Sequence, residues 1–176
     1  MNKPLLSIVI ANYNYGRFLE EAIQSVAHQE GVEKVELIIC DAASTDNSVE
    51  IIKKYASGLP PNTSYYDWAA SHPTSLIPHP LITWWCSEKD NGQSEAFNKG
   101  FSHAKGEWLT WLNADEIYAD GVLSALFSLI ARKKKAQWII LLSFLLLLTN
   151  RLLFNISHHL QVLQWLKNLW NKENTF

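Results

Sequence analysis

Acidic residues stand where apolar runs of this chain end. Between Trp84 and Glu116 the sequence passes from Trp84-Trp-Cys86 into the loop Ser87-Glu-Lys-Asp-Asn-Gly92. It continues through a stretch of small residues to Trp108-Leu-Thr-Trp-Leu112 and then Asn113-Ala-Asp-Glu116. Read as loop, helix, buried strand and acidic turn, that order sets Asp115 just beyond the carboxyl end of a strand. Open α/β sheets bind ligands at such places. A carboxylate there is a hard oxygen ligand of the kind that a divalent cation on a diphosphate takes. A second acid, Asp41, closes the earlier apolar run Val35–Cys40.

The elements that must position these acids follow from the apolar pattern. Leu5–Ala11 is a nearly continuous, β-branched run, the signature of a strand buried on both faces. Asn12-Tyr-Asn-Tyr-Gly16 makes a turn, and Phe18, Leu19, Ala22, Ile23 and Val26 then recur at helical spacing. Val35–Cys40 is a second buried strand. Asn47 with Glu50 three residues later marks a helix start, filled by Val49, Ile51, Ile52 and Tyr55. The opening β-α-β-α order predicts an α/β fold with a parallel sheet and right-handed crossovers. From Gly58 to about Pro80 five prolines break the pattern, which reads as an inserted loop covering the site. Leu81–Cys86 resumes as a strand. Gly92–Ala104 follows as a helix with Ala96, Gly100 and Ala104 along one face, stopped by Gly106. Trp108–Leu112 is the next buried strand and Val122–Ile130 the next helix.

Bulk properties narrow the function. At 176 residues, 48% hydrophobic and 18% charged, the chain is long and apolar enough for one domain with a core, plus an appendage. A net charge of −2, with no basic groove interleaved with aromatics, gives no case for a nucleic-acid partner. Cys40 and Cys86 read as buried thiols, and no zinc-ligand spacing occurs. His28, His72, His79 and His103 show no ligand spacing either, and Asp46 reads as a turn or helix-start residue. The apolar run before Asn12 is too short for a signal peptide, so the expected location is the cytoplasm. After Lys135 the composition changes. Trp138–Leu148 is almost purely apolar, and Arg151–Trp170 is amphipathic. This tail, 133–176, reads as a membrane span, an interfacial hairpin or a core helix with a partner helix, and we take membrane association as the expectation. If it spans, the Arg132–Lys135 cluster puts the rest of the chain at the cytoplasmic face.

Four segments together resemble the nucleotide-binding half of a family 2 glycosyltransferase, with the GT-A fold. They are Ser7-Ile-Val-Ile-Ala-Asn-Tyr-Asn14, Glu36-Leu-Ile-Ile-Cys-Asp-Ala-Ala-Ser-Thr-Asp46, Ser87-Glu-Lys-Asp-Asn-Gly-Gln-Ser94 through Asn98-Lys-Gly100, and Gly106-Glu-Trp-Leu-Thr-Trp-Leu-Asn-Ala-Asp-Glu116. They cover about Pro4 to Leu126, in the family's order. The resemblance implies a GT-A-like domain over 1–132. It implies transfer of a sugar, with inversion, from a nucleotide-sugar donor, UDP-linked, to a polysaccharide or lipid-linked acceptor. It places Asn12 and Asn14 in the first nucleotide-facing turn, Asp41 on the base, and Asp90 and Gly92 in the donor-sugar loop. It also places Asn113 near ribose or sugar, and Asp115 on Mn2+ or Mg2+. Ala42 and Ala43 depart from the family by standing where a tight turn prefers glycine. The general base of such enzymes lies on an acceptor-side half, and the only acid after Asp120 here is Glu173, so no catalytic base can be nominated. Two alternatives follow: a truncated, catalytically incomplete nucleotide-sugar-binding fragment, or a membrane-tethered partner of a separate acceptor-binding chain.

Overall fold

The apolar runs are the strands. Leu6–Asn12 (β1), Val35–Asp41 (β2), Ile82–Ser87 (β3) and Trp108–Asn113 (β4) pair in parallel, in the order β3-β2-β1-β4. Gly16–Ala27 (α1) follows β1, Ser48–Tyr55 (α2) follows β2, Gln93–His103 (α3) follows β3 and Val122–Arg132 (α4) follows β4. The structure is a computed structural model that describes residues 3–57, 59–64 and 81–132. These belong to one compact unit. The expectations for the tail 133–176, and for most of the insertion before Pro80, lie outside the described residues. Among the described residues no helix is long and apolar enough to cross a membrane.

The α/β parallel-sheet expectation holds, because each central strand is apolar on both sides. Every residue of β2 and all but one of β1 are buried. On one face α3 covers Val9, Ile38, Cys40, Trp84 and Cys86 through Ala96 and Phe97. Burying each large apolar side chain contributes roughly 1.5–3 kcal/mol. The approach of α3 is close: a Cβ on Gly100 would lie 2.3 Å from Val9 Cγ1. The two cysteines are free, buried, and direct neighbours across β2 and β3. The expectation of a buried strand at Trp108–Leu112 is corrected. β4 pairs with β1 on one side and is an edge strand among the described residues; Leu109 is 47% exposed and Leu112 alone is buried.

A carboxylate pins the amino-terminal edge of the sheet. Glu36, buried, accepts hydrogen bonds from Ser7 Oγ at 2.5 Å, the Gly106 amide at 3.0 Å and Thr83 Oγ1 at 3.3 Å. It also accepts one from the Lys105 amide. A buried polar group is tolerable only when it is bonded in this way. The edge of β3 is covered by Leu59–Ser64: the Asn62 amide donates to Trp85 O at 2.7 Å, and Trp85 Nε1 donates to Leu59 O at 2.8 Å.

Candidate functional site

From β1 the chain steps to β2 and β3 on one side and then crosses to β4 on the other, so its topology switches at β1. Open sheets bind ligands at the carboxyl ends beside such a switch. Register puts Asn12 against Asp41, and Ala11 against Asn113, at this end. Asp41 and Asn113 are the last residues of their strands rather than the first of the turns, because the parallel ladders continue through them.

Asn12, Asn14 and Asp41 are brought together by Ser44, which the sequence did not single out. Asp41 is 1% exposed, and both its oxygens are engaged by protein donors. Oδ1 accepts Asn12 Nδ2 at 2.7 Å and the Ser44 hydroxyl at 2.5 Å; Oδ2 accepts the Ser44 amide at 3.0 Å and Ser87 Oγ at 2.6 Å. A carboxylate offers about four acceptor positions, so these donors fill it. The Ser44 hydroxyl also accepts the Asn14 amide at 2.8 Å, while Asn14 Oδ1 accepts the Thr45 amide at 2.8 Å. Asn12 Oδ1, by contrast, is buried with no hydrogen-bond partner. Two residues of this knot sit in the left-handed region, Asn14 at φ 54° and Ala43 at φ 55°. The strain expected from alanine in place of glycine is therefore at Ala43.

Asp46 acts as a turn and helix-start residue, as the sequence indicates. It accepts the Gly16 amide at 2.8 Å and the Ser48 amide at 3.0 Å, tying the starts of α1 and α2 together. Desolvation raises its pKa, but bonds from the Ser48 hydroxyl and the Gly16 and Ser48 amides outweigh this and hold it below the usual value. Asn47, the expected cap, makes no side-chain cap bond.

Asp90 and Gly92 lie in the loop after β3, where Asp90 Oδ1 accepts the Gly92 amide at 2.9 Å. Gly92 precedes α3 at φ 117°, a conformation that a side chain would strain. Gln93 Nε2 donates to Asn113 Oδ1 at 2.8 Å, joining this loop to the end of β4. Sequence reading missed Gln93 and also Tyr13, whose ring is 58% exposed beside buried Asn12. Its signal was available: a large aromatic between two asparagines at a strand end.

The acidic turn is closed by two bonds, Glu116 amide to Asn113 O at 3.0 Å and Asn113 amide to Glu116 Oε2 at 3.3 Å. Asp115 is exposed. Among the described residues no group of three or more His, Cys, Asp or Glu gathers to hold a metal. One free carboxylate fits a cation that takes its remaining ligands from substrate phosphates and water, as Mg2+ does. Asp115, with Glu116 beside it, would hold that ion.

Known proteins share this architecture. The family model described as glycosyl transferase family 2 matches residues 7–71 and 80–141, more than half of the chain. An uncharacterized glycosyltransferase of Nostoc sp. is 33% identical over 113 residues, 64% of this chain and 29% of that protein. The glycosyltransferase GlyG of Streptococcus pneumoniae is 26% identical over 73% of this chain and 36% of its own length. The chain thus spans about a third of these relatives. Among solved structures, S. aureus TarS in complex with UDP-GlcNAc superposes with TM-score 0.55 at 18% identity, over 72% of this chain and 31% of that one. A mannosyltransferase of Pyrobaculum calidifontis in complex with GDP-Man and Mn2+ gives 0.54 at 23% identity, over 74% and 33%. At these identities the structural likeness shows the fold, and that fold is the GT-A sheet. With the family match it settles the assignment: this chain belongs to glycosyl transferase family 2.

Proposed function

We propose that the chain is the donor-binding half of an inverting glycosyltransferase that takes a nucleotide sugar, UDP-linked, and delivers the sugar to a polysaccharide or lipid-linked acceptor at the cytoplasmic face of a membrane. The observation that carries this reading is the convergence of Asn12, Asp41 and Asn113 by strand register at the switch-point edge, with Asp115 two residues beyond Asn113. Tyr13 offers an exposed ring face on which a base can stack. Asp41, filled by protein donors, acts by fixing Asn12 and the Ser44 turn beneath the base rather than by meeting the base itself. Asp90, Gly92 and Asn113 line the sugar side. Asp115 would hold the divalent ion on the diphosphate, which supplies Lewis-acid stabilisation of the departing nucleoside diphosphate. The acceptor hydroxyl attacks the anomeric carbon as the bond to diphosphate breaks, and its proton goes to a base outside the described residues.

A second reading is that the chain binds donor but transfers sugar only with another polypeptide. Turnover of UDP-sugars by the purified full-length protein distinguishes the two: release of UDP with sugar transfer supports the enzyme, and binding without turnover supports the second reading.

A further inference from the structure

The segment from Asn113 to Leu123 carries Asp115, and both of its ends are fixed. One end is β4, held in register on β1. The other is tied to the last turn of α1 by two side chains that no part of the donor site uses. Gln29 lies just past α1 and is 6% exposed. Its Nε2 donates to Ala119 O at 3.0 Å and to Ser25 O at 3.1 Å, while its Oε1 accepts the Leu123 amide at 3.4 Å. Leu123 is in the first turn of α4, where amides have no partner within their own helix, so Gln29 caps α4 from a distance. Ser25 Oγ accepts the Tyr118 amide at 3.0 Å, and the Tyr118 ring is buried. Four residues, Ala114–Ile117, therefore bridge two anchored points, and Asp115 is among them.

A buried carboxamide with both ends bonded is costly to place and rigid once placed. Two of its three bonds span 90 and 94 residues of sequence, so these hold tertiary position rather than local conformation. Gln29 lacks any route to a diphosphate of its own, since both of its polar atoms are spent on the strap and the helix.

We infer that Gln29, with Ser25 in support, is a positioning residue that sets where the Asp115 carboxylate meets the metal-bound diphosphate. This rests on the reading of Asp115 as the metal ligand. Losing a direct partner of a metal ligand typically costs about 10- to 100-fold in metal affinity, and Gln29, which acts on Asp115 only through the strap, should cost less.

The test is Gln29→Met in the full chain, which keeps the length of the side chain and removes its hydrogen bonds. UDP binding is measured by calorimetry without metal and across a Mn2+ titration. The expected result is unchanged metal-free UDP affinity with the Mn2+ concentration for half-maximal enhancement raised severalfold, up to about tenfold. Ser25→Ala, which removes the Tyr118 anchor alone, moves the same quantity in the same direction and serves if the methionine variant does not fold. A folded Gln29→Met or Ser25→Ala variant with the wild-type Mn2+ response overturns the inference alone. Wild-type protein that binds UDP with no response to Mn2+ overturns the metal reading of Asp115 instead, and with it this role for Gln29.

Discussion

Two adjacent alanines should respond to glycine with opposite signs. Ala43 is held at φ 55°, and an L-residue in that region costs roughly 1–2 kcal/mol that glycine avoids. Replacing alanine by glycine also frees the unfolded chain, which costs about 0.4–1 kcal/mol. The difference predicts that Ala43→Gly stabilises the protein by roughly 0.5–1 kcal/mol, or about 1–4 °C in Tm for a chain of this size. Ala42 has no positive φ, and its amide already donates to Asn12 O at 2.9 Å. Ala42→Gly therefore carries the entropic cost without relief and should destabilise by about 0.5–1 kcal/mol. Urea denaturation followed by circular dichroism measures both, read as a change in midpoint at constant slope. Because Ser44 makes its bonds to Asp41 and Asn14 in either case, Ala43→Gly should leave UDP affinity near its wild-type value. Destabilisation by Ala43→Gly of the same size as by Ala42→Gly would refute the argument from strain.

Tyr13→Ala should weaken UDP binding by about 1–3 kcal/mol, the usual value of an aromatic stack on a base. It should leave the unfolding midpoint in place, because the ring is 58% exposed; equal UDP affinities for variant and wild type in calorimetry would exclude the stack. Asp46 titrates below its ordinary value in the folded protein, so its contribution to stability is present above its unfolded pKa of about 3.8 and lost as pH falls through the lower folded value. Acid denaturation of Asp46→Asn should accordingly be less steep than wild type below about pH 4, and identical slopes would show that the ties to Gly16 and Ser48 carry no charge dependence.

Much of the fold is legible because the central strands are buried on both faces and so read as unbroken apolar runs. Residues 6–12 and 35–41 could be placed within a residue of their ends for that reason. β4 reads equally apolar, yet lies at an edge: composition reports what a strand could bury, and pairing on one side decides what it does bury. In the candidate site, Asp115 and Asp41 stand out in the sequence because an acid closing an apolar run is a local signal. Ser44, Ser87 and Gln29 do not, since a hydroxyl or carboxamide gains its meaning from partners far along the chain. Ser87 meets Asp41 across 46 residues, and Gln29 meets Ala119 across 90. Asp41 itself shows the limit of a motif: its position was plain, but the saturation of its carboxylate by Asn12, Ser44 and Ser87 appears only when those turns are folded together.

The central claim is that this sheet edge binds a nucleoside diphosphate through a cation held by Asp115. Calorimetric titration of UDP into the full-length protein, with and without Mn2+, on wild type and on Asp115→Ala, tests it most directly. The account predicts that Mn2+ strengthens UDP binding to the wild type by about tenfold or more, and that Asp115→Ala removes this enhancement while metal-free affinity persists. A folded wild type that does not bind UDP, or an Asp115→Ala variant with the full Mn2+ enhancement, would contradict it.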